Sequence, residues 1–412
     1  MGDVILVGSR HSADTLRVRE FLTRNGHPFL NLDLERDHAV EDLLDRFAIR
    51  PSETPVLICR GESVLRNPSN TDIADCLGFN AGIEPTRRRD VVVVGAGPAG
   101  LAAAVYAASE GLDVLVIEMA SPGGQSGASS KIENYLGFPT GISGQDLAGR
   151  AYVQAQKFGA EMLVAEEVVR LRCDPRALVV EVADGAHVPA RCVIVASGAA
   201  YRRLPLDNLA EHEGSGVYYC ATATEAGLCG GEDVIIVGGG NAAGQAAVFL
   251  AQSAARVEIV VRADGLARSM SRYLIQRIED SPHITVRPRT EVVGLAGDGH
   301  LSHVRLRDGN GTVTERSVRH LFLMAGAVPA TGWLDGCVAL DARGFVKTGA
   351  DLTHDDLQGA GWPLGRAPFL LETSRPGVLA VGDVRSGSVK RVASAVGEGS
   401  VAISFVHRIL HG

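Results

Sequence analysis

The stretch DVVVVGAGPAGLAAAVYAASEGLDVLVIE, residues 90–118, decides the fold. Three glycines, Gly95, Gly97 and Gly100, follow its first apolar run. A helix-forming segment comes next, and a second apolar run ends at Glu118. The first glycine permits a tight turn, the second lets backbone N–H groups approach a pyrophosphate, and the third lets helix and strand pack closely. The pattern therefore predicts a strand–helix–strand unit that binds a dinucleotide.

The chemistry of this unit is carried by a helix N-terminus and one carboxylate. Pro98 and Ala99 open the helix, and the backbone N–H groups there hold phosphates. Glu118 stands at the end of the second strand, where a carboxylate accepts hydrogen bonds from ribose hydroxyls. Because a carboxylate repels a ribose 2′-phosphate, we expect FAD or NAD at this site.

A second copy of the pattern, DVIIVGGGNAAGQAAVFLAQSAARVEIVVRADG, occupies residues 233–265. No carboxylate ends its second strand, and Arg262 stands there instead. A guanidinium pairs with a 2′-phosphate, so this copy favours NADPH. Arg272 is a further candidate for charge in the same pocket. The NADPH-binding candidates are Gly238, Gly240, Asn241, Ala242, Ala243, Arg262 and Arg268.

The first nucleotide domain is predicted to be discontinuous. VIVASGA, residues 193–199, reads as a strand and glycine turn that returns the chain across that domain. Much later, residues 376–402 read as a strand ending at Gly382-Asp383 and then a helix, which suits a flavin ribityl chain and pyrophosphate. The predicted fold class is α/β, with two Rossmann-like three-layer domains, the second inserted into the first. The predicted parts are residues 83–206 and 327–412 for FAD and residues 207–326 for NADPH.

Residues 1–82 read as a small, separate α/β domain with the element order β-α-β-α-β-β-α. Its first strand is DVILVG, from Asp3, Ser12 is the N-cap candidate of its first helix, and TPVLICRGESVLRN reads as a hairpin. NAGIEPTRRR, residues 80–89, reads as the linker to the next domain. This order resembles a thioredoxin or glutaredoxin domain, and ETPVLI resembles the cis-proline loop of that fold, which implies a cis peptide at Pro55. Such domains carry CxxC where the first strand meets the first helix. Here that loop is GSRHSADT and holds no cysteine. We expect a redox-inactive adaptor.

From about Asp90 onward the sequence resembles bacterial low-molecular-weight thioredoxin reductases. The resemblance is carried by GAGPAG, GGQ followed by IENYLGFP, ASGA, GGGNAAGQAA, GAVPAT and VGDV, in that order. It implies FAD, NADPH as electron donor, a homodimer and an NADPH domain that rotates. The FAD-binding candidates that it implies are Gly95, Gly97, Pro98, Ala99, Gly100, Glu118, Gly124, Gln125, Asn134, Gly382, Asp383, Lys390, Arg391 and Val392.

The segment YYCATATEAG, residues 218–227, departs from that family. The resemblance implies CATCD at this place, with two redox cysteines and an acid. Cys220 is retained, but Ala223 replaces the flavin-proximal cysteine and Thr224 replaces the aspartate. A lone thiol cannot cycle as a disulfide, so Cys220 is a weak catalytic candidate. Cys229, nine residues on, could serve as its partner only if the chain folds back.

The composition excludes several classes of binding partner. A net charge of −8 without a long basic run argues against nucleic acids and anionic membranes. No apolar run reaches the roughly 18 residues of a membrane span, so we expect a cytoplasmic protein. We expect most of the seven scattered cysteines to be buried reduced thiols, and we expect no metal. His11 and His212 are expected to be exposed or capping residues.

The favoured hypothesis is a thioredoxin reductase-like flavoprotein in which NADPH reduces FAD by hydride transfer. Electrons would then pass, without a CxxC dithiol, to a protein or small molecule that the sequence does not identify. The alternatives are a genuine thioredoxin-disulfide reductase that uses a non-standard thiol route, such as Cys220 with Cys229, a ferredoxin- or flavodoxin-NADP reductase, and a non-catalytic module that senses NADPH or redox state.

Overall fold

The computed structural model describes residues 4–37, 39–61, 63–84, 86–129, 131–174 and 177–411. Asp3, the first residue of a predicted strand, and Pro85, in the predicted linker, lie outside these ranges. Among the described residues, no helix combines the length and the apolar character needed to cross a bilayer.

The N-terminal unit has one four-stranded sheet, in the order β2-β1-β3-β4. β1 pairs parallel with β2 and antiparallel with β3, and β3 and β4 form the predicted hairpin. Ser12 caps α1 by accepting from the Thr15 N–H, and the Thr54–Pro55 peptide is cis, as predicted. The elements are β1 (Val4–Gly8), α1 (Ala13–Arg24), β2 (Leu30–Asp33), α2 (Ala39–Arg46), a 3-10 turn (Pro51–Glu53), β3 (Val56–Cys59), β4 (Ser63–Arg66) and α3 (Asn70–Leu77).

The first nucleotide-binding domain is built on a sheet in the order β7-β6-β5-β10-β9-β8. Strand β21, which follows the whole second domain in sequence, pairs parallel with β10 and so completes this sheet. Its earlier elements are β5 (Arg89–Val94), α4 (Pro98–Ser109), β6 (Val114–Glu118), α5 (Gly124–Gly127), α6 (Gly144–Lys157), β7 (Glu161–Val164), β8 (Val168–Asp174), β9 (Ala177–Val182) and β10 (His187–Val195). Its later elements are α11 (His354–Gly359), β21 (Val378–Ala380) and α12 (Val392–His411), with 3-10 turns at Gly332–Leu334, Gly349–Asp351 and Gly382–Val384.

The second nucleotide-binding domain has a parallel sheet in the order β12-β19-β13-β14-β15. An antiparallel sheet of β16, β17 and β18 accompanies it. Its elements are α7 (Leu209–His212), β12 (Val217–Tyr218), α8 (Ala223–Leu228), β13 (Asp233–Val237), α9 (Asn241–Leu250), β14 (Arg256–Val260), α10 (Arg272–Glu279), β15 (Ile284–Arg287), β16 (Glu291–Ala296), β17 (His303–Arg307), β18 (Val313–Ser317) and β19 (His320–Leu323).

Two short antiparallel strands connect the nucleotide-binding domains. β11 (Ala199–Tyr201) carries the chain out of the first domain, and β20 (Ala327–Pro329) carries it back. The two segments that join the domains therefore lie side by side. We call this pair of strands, β11 and β20, the connecting ribbon.

Apolar burial joins the N-terminal unit to the first nucleotide-binding domain. One hydrophobic cluster contains Leu6 and Leu22 of the N-terminal unit together with Val91 and Ala103 of the first domain. All four side chains are fully or almost fully buried. Because one core serves both parts, burial of apolar surface holds them together.

Five of the seven cysteines are free thiols, but only three of these are buried, fewer than expected, and one disulfide was not predicted. Cys173 on β8 is bonded to Cys337, with their Cα atoms 5.7 Å apart. Sequence reasoning could not pair residues separated by 164 positions. The bond ties the chain just after β20 to the sheet of the first domain. The free cysteines are Cys59, Cys76, Cys192, Cys220 and Cys229.

Reduction of the Cys173–Cys337 disulfide is expected to lower the stability of the first domain. A cross-link that closes so long a loop stabilises by about 2 to 4 kcal/mol, and each kcal/mol shifts a melting temperature by roughly 2 to 4 °C in a domain of this size. Thermal unfolding with and without a phosphine reductant measures the change. The C173S/C337S double variant is the control and should not respond to reductant; an equal response would contradict the assignment.

Candidate functional site

The first glycine loop is fixed by backbone packing. Gly95 has φ of +103°, and a Cβ there would collide with the Ala196 carbonyl oxygen. A Cβ at Gly100 would collide with the Gly95 carbonyl oxygen. Both positions need glycine so that α4 can approach the ends of β5 and β10.

Gly97 meets a different requirement, because the space beside it is open. It is the N-cap residue of α4, no side chain caps the helix there, and a Cβ would meet no atom within 4 Å. The free N–H groups of a helix N-terminus attract anions. This open cradle fits the pyrophosphate that the sequence predicted.

Three distant segments converge at the N-terminus of α4. A Cβ at Gly124 would lie 3.1 Å from the Gly97 Cα atom, so the GGQ loop touches the glycine loop. A Cβ at Gly382 would lie 2.9 Å from the Ala99 Cβ atom. The structure thus brings together the segments that carry most of the predicted FAD residues, including Asp383, which follows Gly382.

Glu118 is buried and holds the loop. Its Oε2 accepts from the Ala96 N–H at 2.7 Å, and its Oε1 accepts from the N–H groups of Ala120 at 3.0 Å and Ser121 at 3.2 Å. Burial raises the pKa of Glu118, and these hydrogen bonds oppose the rise. A carboxylate offers about four acceptor positions, so one is left for a ribose hydroxyl.

Lys390 lies beside Asp383. Its Nζ donates to the Asp383 carbonyl oxygen and, at 2.7 Å, to the Ser388 hydroxyl, and it stands 4.6 Å from the centre of the Phe345 ring. Burial lowers the pKa of Lys390 and raises that of Asp383, and the attraction between the two charges opposes both changes. The pair places one positive and one negative charge near the α4 cradle.

Four other predicted FAD residues are Gln125, Asn134, Arg391 and Val392. The Gln125 amide donates to the Ala199 carbonyl oxygen, which places it on the connecting ribbon. Asn134 and Arg391 are exposed, and Val392 begins α12. Within the described part of the chain, neither the Asn134 side chain nor the Arg391 side chain has a hydrogen bond or ion pair.

The second glycine loop repeats the geometry of the first. Gly238 has φ of +145°, and a Cβ there would collide with the Met324 carbonyl oxygen. Gly240 is the N-cap residue of α9, and a Cβ there would meet only the Ser269 carbonyl oxygen, at 3.9 Å. The Asn241 side chain accepts from the Ser271 N–H at 2.7 Å. Ala242 is exposed and Ala243 is fully buried, so the first turn of α9 has one exposed side and one side packed in the domain core.

Arg262 follows β14 at the carboxyl end of the parallel sheet, where nucleotides bind in such folds. Arg262 and Arg268 are both exposed. No ion pair or hydrogen bond engages either guanidinium among the residues that the structure describes. Both are therefore available to an incoming phosphate.

The Cys220 region contains a carboxylate that sequence reasoning missed. Ala223 is the first residue of α8, and the Thr222 N–H donates to Glu225 Oε2 at 2.8 Å, as does the Thr222 hydroxyl. Glu225 is buried, and burial raises its pKa. The Thr-x-x-Glu spacing of a capping box was the sequence signal for this arrangement.

Cys220 itself is half-buried and has no sulfur partner. Burial raises the pKa of its thiol, the negative charges of Glu225 and Glu20 raise it further, and Arg24 opposes them. A thiol with a raised pKa is a poor nucleophile. Cys229 lies at the far end of α8, where its Sγ donates to the Glu225 carbonyl oxygen at 3.0 Å, and both thiols are free.

The expectation for His212 was wrong. It is buried, 2% exposed, because the chain turns back there through a hydrogen bond from the Ser215 N–H to the His212 carbonyl oxygen. Neither ring nitrogen has a hydrogen-bond partner among the described residues. His11 is exposed as expected, with its Nε2 accepting from Arg10 at 3.0 Å.

Comparison with known proteins gives one family. Residues 89–399 match the family model described as pyridine nucleotide-disulphide oxidoreductase. The chain is 33% identical to a thioredoxin reductase of Treponema pallidum over 314 residues, covering 76% of this chain and 94% of that protein. It is 32% identical to NADPH-dependent thioredoxin reductase 3 of Arabidopsis thaliana over 368 residues, covering 85% of this chain but 65% of that protein.

Solved structures agree with this finding. The structure of T. acidophilum thioredoxin reductase matches with a TM-score of 0.68 and 30% identity, over 79% of this chain and 99% of that one. Lactococcus lactis thioredoxin reductase, in its FR conformation, matches with a TM-score of 0.69 and 26% identity, over 78% of this chain and 99% of that one.

The open space at Gly97 gives a test of the cradle. Gly97→Val places a side chain where phosphates would lie, and its Cβ meets no protein atom within 4 Å. The fold should therefore persist while FAD affinity falls at least about tenfold, or about 1.4 kcal/mol. The flavin absorbance per protein of the purified chain measures occupancy, and far-UV circular dichroism checks the fold. Gly240→Val is the matched variant and should keep its flavin; equal flavin loss in both would contradict separate sites.

Proposed function

The chain belongs to the pyridine nucleotide-disulphide oxidoreductase family, and on that premise we propose that it passes electrons from NADPH to an acceptor without using a CxxC dithiol. FAD and NADPH are the cofactors that membership implies. When bound, FAD would supply the two-electron redox chemistry between NADPH and the acceptor. The protein orients the two cofactors and shields them from water.

The FAD site that we propose is the junction at the N-terminus of α4. Gly97 and its neighbours would hold the pyrophosphate, Glu118 would accept from the ribose, and Asp383 with Lys390 would face the rest of the cofactor. The support is the convergence of these segments and the open cradle beside Gly97. For NADPH we propose the α9 N-terminus, with Arg262 and Arg268 on the 2′-phosphate.

The absence of a dithiol beside Cys220 carries the proposal. Position 223 is alanine, and it begins α8. Burial raises the pKa of the Cys220 thiol, which disfavours the thiolate that disulfide exchange requires. The acceptor that we propose is therefore one that meets the flavin directly, such as a quinone, dioxygen, a small disulfide or a one-electron carrier protein.

A second candidate is a thioredoxin-disulfide reductase, which the names of the relatives favour. It would need an unusual thiol route, such as Cys220 with Cys229. Against it, Cys229 is fully buried and its thiol donates within α8. Reduction of a disulfide reporter by NADPH, measured with and without thioredoxin, separates the two, since only the second candidate needs thioredoxin for that reduction.

Two further features are part of the proposal. We propose that residues 1–82 are a thioredoxin-like domain without redox function, on the support of the sheet order and the cysteine-free loop between β1 and α1. We also propose a homodimer, which the thioredoxin reductase resemblance implies. A cytoplasmic location and the domain limits at residues 82, 206 and 326 stay predictions.

Replacement of the lone cysteine should leave electron entry unchanged. In Cys220→Ser, anaerobic stopped-flow bleaching of the flavin by NADPH is expected to keep its rate within about twofold, because no thiol takes part in that transfer. NADPH consumption with a quinone or dioxygen should also persist. Loss of activity with every acceptor tried, in a variant that still binds flavin, would favour the thiol route instead.

Arg262 should decide between NADPH and NADH. Arg262→Ala removes a charge-assisted contact with the 2′-phosphate, worth about 1.5 to 3 kcal/mol, so the KM for NADPH should rise roughly ten- to a hundredfold while that for NADH stays unchanged. Arg256→Ala, at the other end of β14, is the matched control and should alter neither. An equal loss for both nucleotides would exclude this role for Arg262.

A further inference from the structure

The N-terminal unit is anchored on the first nucleotide-binding domain. The Asn80 amide donates to the Val164 carbonyl oxygen at 3.0 Å and accepts from the Val164 N–H at 2.8 Å, which closes the edge of β7. The Thr71 hydroxyl donates to the Ala165 carbonyl oxygen at 2.9 Å. Together with the shared apolar core, these contacts make the unit a fixed part of the first domain.

The C-terminal end of α1 contacts the loop that faces the α4 cradle. Arg24 Nη2 donates to the Gly124 carbonyl oxygen at 2.7 Å. The Gln145 amide, on α6, donates to the Thr23 carbonyl oxygen at 2.5 Å. Two hydrogen bonds, one donated by Arg24 and one accepted by Thr23, therefore hold this end of α1 on the first domain.

The first turn of α1 reaches the second nucleotide-binding domain. Leu16 is 8% exposed and belongs to the hydrophobic cluster that holds Tyr218 and Ala221, not to the core of its own unit. Ala13 lies against Gly214, since a Cβ on that glycine would be 3.1 Å from the Ala13 Cβ atom. One helix therefore packs on both nucleotide-binding domains.

Two charged side chains of the same helix influence Cys220. The negative charge of Glu20 raises the pKa of the Cys220 thiol, and the positive charge of Arg24 lowers it. Arg19 is half-buried; burial lowers the pKa of its guanidinium, and the charge of Glu225, the residue that caps α8, opposes this change. In sequence, Cys220 lies between Tyr218 and Ala221, and both of these residues belong to the hydrophobic cluster that contains Leu16.

We propose that helix α1 is a built-in cover for Cys220, which also holds the two nucleotide-binding domains in one relative arrangement. Because its unit is fixed to the first domain while Leu16 and Ala13 contact the second, a movement of the second domain away from α1 uncovers Cys220. While the contact holds, α1 occupies the face that an external protein disulfide would need. This goes beyond the proposed electron path, since it concerns access and domain position and not the flavin.

Alkylation of Cys220 in the full-length chain tests the cover without measuring activity. N-ethylmaleimide is added to the protein, and mass spectrometry follows the peptides that contain Cys220, Cys229 and Cys59. Leu16→Glu puts a charge into an apolar contact. Because modification of a covered thiol follows the population of the open form, Cys220 labelling should rise at least about tenfold. Cys229, buried inside the second domain, should stay slow.

Two more variants keep the proposal falsifiable. Leu30→Glu makes the same change at an exposed site of the same unit, 49% exposed, and should label like the wild type. Fast Cys59 labelling would reveal that Leu16→Glu unfolds the unit. Ala13→Glu serves in that case, because Ala13 is exposed and a larger side chain there, in contact with Gly214, pushes α1 away from the second domain. Wild-type labelling of Cys220 as fast as that of a free thiol, or no acceleration in Ala13→Glu, overturns the cover.

Discussion

Helix α4 packs on its neighbours through backbone atoms, and the arrangement of the first nucleotide-binding domain depends on that contact. A side chain at Gly100 would strike the Gly95 carbonyl oxygen, and one at Gly399 on α12 would strike the Ala99 carbonyl oxygen. Because no side chain fits between these segments, β5, α4 and α12 pack in direct backbone contact. The same approach leaves the α4 N-terminus facing open space, so packing and anion binding have a common cause.

The second domain repeats this design at Gly238 and α9, and the difference between the two sites lies at the ends of their second strands. Glu118 is buried and held by three backbone N–H groups, whereas Arg262 is exposed. On our proposal, this difference in charge is what separates the two nucleotides. Where the resemblance implies a redox dithiol, the chain has Cys220, the start of α8 and the buried Glu225, and the surroundings of Cys220 raise the pKa of its thiol.

The sequence predicts the parts of this protein that rest on local patterns. Gly95 and Gly238 mark tight turns, Ser12 marks a helix start, and Pro55 marks a cis-proline loop, because each of these residue types fits few backbone conformations. The family resemblance implied that Gly382 and Asp383 belong to the same FAD site as Gly95. It did not foresee the Cys173–Cys337 bond or the contact of Arg24 with Gly124, which join residues 164 and 100 positions apart through tertiary packing. His212 was misjudged for the same reason: its burial depends on how the chain turns after α7.

The count of electrons that each subunit accepts tests the central claim most directly. The flavin-loaded C173S/C337S variant is used, because it lacks the described disulfide and that bond then takes up no electrons. It is titrated anaerobically with dithionite, and the flavin absorbance is followed to full bleaching. A subunit without a redox-active dithiol should take two electrons per flavin, the capacity of the cofactor alone. An uptake of four electrons per flavin would reveal a second two-electron centre and would contradict the account.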